Sequence, residues 1–258
     1  MGRIGDGIAR RRARGRAAFI PFLTAGDPSL DRTVEAALAL EAAGADVLEL
    51  GVPFSDPLAD GPVIQRSSER ALARGVTLQG VLDVVRRIRK RSALPLLLFS
   101  YFNPLLQRGL ERLAGEAAEA GVDGVLVTDL PPEEAEDWIR AARAAALDTV
   151  FLAAPTSPPE RLRRVAEASR GFVYAISRTG VTGERRALSG EARPLVERLR
   201  GLTEVPVALG FGLSTPQQVA EASSVADAVV VGSALVRFLE EQPEGDVGAQ
   251  VRWLTSAM

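Results

Sequence analysis

The chain has 258 residues, 47% of them apolar, and its 33 acidic and 31 basic side chains leave a formal net charge of −2. That balance argues against a nucleic-acid or membrane-surface partner, and the length suits a single barrel-sized domain over 1–258. Cysteine and histidine are both absent. This excludes a disulfide framework, thiolate metal sites and a cysteine nucleophile, and leaves acid–base chemistry to Asp, Glu, Tyr or the lone Lys90.

The N-terminal stretch GRIGDGIARRRARGR reads as an amphipathic first helix with a solvated arginine face. The apolar run that follows, FIPFLTAGDP, is too short and too Pro-interrupted for a secretory h-region. No segment has the uninterrupted apolar length of a membrane span, and a cytoplasmic protein is expected.

From there a unit recurs: an Ala-, Glu- and Arg-rich helix, a small or polar cap, then a short apolar strand. EAAGADVLEL (41–50), EAGVDGVLVTDL (119–130), AAALDTVFLAA (144–154) and SSVADAVVVG (223–232) are four copies. Strands are predicted near Phe19–Thr24, Val47–Leu50, Leu96–Ser100, Gly124–Thr128, Thr149–Ala153, Phe172–Ser177, Val205–Leu209 and Ala228–Val231. Helices are predicted near 31–43, 77–91, 110–120, 132–146, 159–169, 191–200, 215–223 and 233–241. The strands are continuous apolar runs, as in a sheet covered by helices. Eight such units predict a (β/α)8 TIM barrel with an extra N-terminal helix and a short helix inserted after the second strand. A doubly wound open sheet is the alternative, weakened because no GxGxxG follows the first strand.

In such barrels chemistry sits at the C-terminal ends of the strands. The second strand carries Glu49 between Leu48 and Leu50. If the leucines face the helices, alternation turns Glu49 into the barrel. There, burial raises its pKa toward the range of a group that gives and takes a proton near neutral pH, unless a distant arginine pairs with it. The loop after it holds Pro53, Asp56, Pro57 and Asp60, then a helix predicted over Pro62–Arg74 and closed by Gly75. Asp60 is either that helix's N-cap or a catalytic acid, and Asp56 reads as a turn residue.

The third strand ends SYFNPLLQRG, read as a loop. Its Phe102, Leu105 and Leu106 form either a partner-binding apolar cluster or packing under the next helix. Tyr174, in the sixth strand, belongs to the barrel mouth or the core. The loop SRTGVTGERRALSGEA has the composition of an active-site lid. Gly210–Ser214 and Gly232–Ser233 follow the seventh and eighth strands, where barrels commonly bind phosphate against helix N-termini.

In family order, FIPFLTAGDP, LELGVPFSDPLADGPVIQ, SYFNP, AGVDGVLVTDLPPEE, APTS, GFVYAISRTGVTG, VALGFGLS and VVVGSALV run from about residue 18 to 241. With these motifs the chain resembles the tryptophan synthase alpha subunit. The resemblance implies retro-aldol cleavage of indole-3-glycerol phosphate to indole and glyceraldehyde 3-phosphate. It further implies an α2β2 complex in which indole passes to a beta subunit carrying pyridoxal phosphate, with no metal or cofactor in this chain. Carried onto matching positions, Glu49 is the acid–base group and Asp60 accepts the indole N–H. Phe22, Ile64 and Phe211 line the indole pocket. Gly183, Phe211, Gly212, Gly232 and Ser233 meet the phosphate, and Thr182 closes over Asp60. Pro53, Asp56, Pro57, Asn103, Leu105 and Pro131 face the partner. A free-standing lyase, or a barrel that mainly activates a beta subunit, are the alternatives. Lys90, remote on a helix, argues against barrels that need a catalytic amine at a strand end.

Overall fold

The computed structural model describes residues 2–176, 190–210 and 212–258. Its strands are β1 (Ala18–Thr24), β2 (Leu48–Gly51), β3 (Leu96–Ser100), β4 (Gly124–Val127), β5 (Asp148–Val150), β6 (Leu152–Ala153), β7 (Val173–Ile176), β8 (Val207–Gly210) and β9 (Ala228–Val231). All pairings are parallel, in the order β5-β4-β3-β2-β1-β9-β8-β7-β6. The two ends of that order are consecutive in the chain. The fifth predicted strand is therefore two pieces broken at Phe151, one pairing with β4 and the other with β7, and the chain itself closes the ring. This is the predicted barrel, not an open doubly wound sheet.

The helices are α1 (Arg3–Arg12), α2 (Leu30–Ala42), α3 (Pro62–Ala73), α4 (Leu78–Arg89), α5 (Phe102–Arg108), α6 (Leu110–Ala120), α7 (Glu136–Ala144), α8 (Pro159–Ala168), α9 (Ala192–Arg200), α10 (Pro216–Ser223), α11 (Ser233–Glu241) and α12 (Val247–Leu254). The helix predicted over 132–146 begins as a 3-10 turn at Pro132–Glu134. The SYFNP segment is a short helix, not a loop, and α12 closes a tail in which no element was expected.

Alternation divides the strand side chains between two cores. Leu48 and Leu50 join the layer between strands and helices. Val47 joins the barrel interior with Ile20, Leu97, Leu126, Phe172 and Ala208. Helix α1 contributes Ile4 and Ile8 to that interior, both fully buried. It is therefore a plug across the N-terminal mouth, and its arginines are not merely solvated.

Those arginines meet acids at the strand starts. Asp46 takes the Phe19 N–H at 2.9 Å and the Arg11 guanidinium at 2.8 and 2.9 Å. Asp123 takes the Leu96 N–H at 2.8 Å and ion pairs from Arg3 and Arg89. Asp227 takes the Val207 N–H at 2.8 Å and ion pairs from Arg12 and Arg200. Each acid ties neighbouring strands together and anchors a helix. Asp148, in the corresponding place of the repeat, is the exception. It is buried, its Oδ2 has no hydrogen-bond partner among the described residues, and desolvation pushes its pKa up to about 6.

Candidate active site

At the opposite mouth the strand ends surround a cavity of about 270 Å³. Among its lining residues are Phe22, Glu49, Asp60, Ile64, Tyr174, Gly212, Gly232 and Ser233, all expected from sequence. Thr182, Gly183 and Phe211 lie outside the described residues, as does most of the proposed lid.

Glu49 pairs in register with Phe22 on β1 and Leu97 on β3. With its leucine neighbours turned to the helices, its carboxyl enters the barrel and is 1% exposed. Its Oε1 has no hydrogen-bond partner among the described residues, and no arginine offsets its burial. Desolvation alone pushes its pKa up to about 8, so at neutral pH this side chain holds a proton.

Asp60 is held differently. The N-cap of α3 is Gly61, with no side-chain cap, so the carboxylate is not spent on the helix. The Asp60 N–H donates to the Pro57 carbonyl at 3.0 Å. The Gln65 amide donates to the carbonyls of Asp60 at 2.9 Å and Pro57 at 3.3 Å, fastening the loop to its own helix. Burial raises the Asp60 pKa, a hydrogen bond from Tyr101 lowers it, and the balance is about 6. The two acids thus differ at pH 7: Glu49 is mainly protonated and Asp60 mainly ionised.

The walls between them are apolar. Phe22 meets Phe99 edge to face at 5.3 Å, and Leu152, Ile176 and Val230 complete the lining. Tyr174 both lines the cavity and packs in the barrel interior, so the two roles left open for it coincide. A Cβ on Gly210 would lie 2.4 Å from the Tyr174 hydroxyl, which explains the glycine there.

The two Gly-led helix starts are not equivalent. At α10, Thr215 and Gln218 form a capping box, and the Gln218 carbonyl oxygen also takes the Ser214 and Thr215 N–H groups at 2.8 and 3.2 Å. At α11 the N-cap is Gly232, with no side-chain cap, and Gly232 and Ser233 face the cavity. The open amide groups are those of α11.

Among residues expected at a partner, Asp56 and Asn103 are exposed and Pro57 and Pro131 are partly so. Pro53 is buried. Leu105 is also buried, at 1% exposure, because α5 turns it into the outer core; its neighbour Leu106 is the exposed one. Sequence reasoning also missed Leu58, 87% exposed at the tip of the acidic loop, as well as Phe99, Leu152, Ile176 and Val230. Inward alternation near the strand ends was the signal for the last four. Among the described residues no helix is long and apolar enough to cross a membrane.

A closed parallel barrel with one protonated and one ionised acid in an apolar mouth defines a (β/α)8 enzyme of the acid–base type. The family model for the tryptophan synthase alpha chain matches residues 8–257. The chain is 54% identical over 244 residues to the tryptophan synthase alpha chain of Solibacter usitatus, covering 95% of this chain and 90% of that one. It is 49% identical to that of Geobacter sulfurreducens, covering 100% and 98%. A structure of Mycobacterium tuberculosis tryptophan synthase superposes with a TM-score of 0.93 at 41% identity, covering 99% of this chain and 98% of that one. A chain of the Pyrococcus furiosus tryptophan synthase a2b2 complex superposes with a TM-score of 0.87 at 40% identity, covering 93% and 98%. The chain belongs to the tryptophan synthase alpha chain family, whose members are lyases of tryptophan biosynthesis.

Proposed function

We propose that this chain, as one barrel domain, cleaves indole-3-glycerol phosphate to indole and glyceraldehyde 3-phosphate, with Glu49 and Asp60 as the two working acids. Glu49 begins protonated and gives its proton to the indole carbon that bears the glycerol chain. The resulting carboxylate then takes the proton of the side-chain hydroxyl as the carbon–carbon bond breaks, which returns Glu49 to its starting state. Asp60 begins ionised and accepts the indole N–H, stabilising the positive charge that develops on the ring. Phe22, Ile64 and Phe99 hold the ring. Gly232 and Ser233, at the open start of α11, receive the phosphate together with Gly212, in the loop after β8.

The observation that carries this reading is Glu49: a buried carboxyl in the cavity, without a cation beside it among the described residues, whose pKa is raised to about 8. Asp148 is also buried without such a fastening, but it does not line this cavity; depth and place in the cavity together distinguish Glu49. Leu58 and Leu106 are 87% and 53% exposed on elements that rim the site, which supports a partner there. That partner is a beta subunit in a cytoplasmic α2β2 complex with mutual regulation. Pyridoxal phosphate belongs to the beta subunit, and no cofactor enters the steps assigned to this chain.

The deciding experiment is indole release by Glu49→Gln in the presence of the beta subunit. Cleavage should fall by at least about a thousandfold while substrate still binds. Turnover within about tenfold of the parent would remove Glu49 from the role.

A further inference from the structure

We propose that Tyr101 is a positioning residue for Asp60: its hydroxyl fixes the direction of the Asp60 carboxylate from the end of β3, across the cavity rim from the loop that carries the acid. The inference rests on the working role of Asp60.

The bonding at the hydroxyl is directional. A tyrosine hydroxyl has one proton to give and lone pairs to accept with. The Ala59 N–H can only donate, and it reaches the Tyr101 oxygen at 3.0 Å. The proton of the hydroxyl is then left for an acceptor, and of its side-chain neighbours, Asp60 and Thr128, the carboxylate is the stronger one. One oxygen therefore grips consecutive residues of the loop, the backbone of Ala59 and the side chain of Asp60. The remaining fastenings of the loop act on its backbone alone, through Gln65 and the turn at Pro57.

Tyr101 is itself held. It is buried at 4% exposure, and its ring stacks on Phe54 at 5.0 Å and 28°. Phe54 lies just ahead of the exposed Ser55, Asp56 and Leu58. Tyr101 is not among the residues lining the cavity, so it acts through Asp60 and does not touch substrate. The other titratable groups facing Asp60 in the cavity are Glu49 and Tyr174.

Tyr101→Phe keeps the ring and its stack and removes only the hydroxyl. In the complex with the beta subunit, kcat for indole release should fall about ten- to a hundredfold with KM within about threefold. The hydrogen bond favours the ionised acid, so losing it raises the Asp60 pKa. The acidic limb of the pH–rate profile should therefore move to higher pH. Asp60→Asn, measured alongside, separates the two claims. If it leaves turnover unchanged, the role of Asp60 fails. If it abolishes turnover while Tyr101→Phe matches the parent in kcat, or lowers kcat without moving the acidic limb, the positioning role alone is overturned.

Discussion

Asp46 and Glu49 lie three positions apart on one stretch of chain and belong to opposite ends of the barrel. Asp46, at the N-terminal end, holds a backbone N–H of β1 and the Nε–H of Arg11, shared between its two oxygens. Asp123 and Asp227 repeat the pattern at other seams. Glu49, at the C-terminal end, is more deeply buried and meets no guanidinium among the described residues. The same functional group is a fastener where an amide and an arginine reach it, and in the cavity it is left with the proton that the proposed cleavage uses. Burial by itself does not choose between the two roles, because Asp227 is nearly as buried as Glu49 and is a fastener; the company each acid keeps does.

The largest test of this contrast is thermodynamic. A carboxyl whose folded pKa is raised holds its proton more tightly when folded. The contribution of Glu49 to stability is thus fully present below about pH 4.5 and is lost as pH rises toward 8, the span over which only the folded state keeps its proton. Glu49→Gln should remove that decline and stabilise the chain at pH 9 by on the order of 3 kcal/mol relative to its effect at pH 4. Denaturant unfolding at both values would measure it, and equal effects would mean that the carboxyl is not desolvated.

Asp227→Asn, at the fastening end, should act in the reverse sense. It weakens two ion pairs and a buried N–H contact, and should cost about 2 kcal/mol with kcat/KM unchanged. A loss of activity without a loss of stability would break the division between the two ends. Asp148→Asn should be the smallest, within about 1 kcal/mol and favourable above pH 6, because this acid lacks the fastening its relatives have. If it cost as much as Asp227→Asn, Asp148 would be a fastener after all.

The sequence carries more of the reagent end than of the fastening end. Eight strand–helix repeats, an acid flanked by leucines, and Gly-led loops after the last two strands are local patterns, and they put most of the cavity lining on the correct faces. The ion pairs of these acids join residues 27 to 215 positions apart, and no local pattern announces them. The plug formed by Ile4 and Ile8 was hidden for a similar reason: an Arg-rich amphipathic stretch looks the same whether its apolar side meets solvent or a barrel mouth. Tyr101 escaped because its partners come from a loop 42 residues away. The inequality of α10 and α11 was legible: Thr215 followed three residues later by Gln218 is a capping-box signature.

That inequality reaches the bench. On the proposed reading, amides that receive the phosphate of the substrate are equally open to inorganic phosphate or sulfate. Assays buffered with either anion would measure the chain partly occupied at one end of its cavity, with an inflated KM. Amine or sulfonic-acid buffers would report its affinity undisturbed.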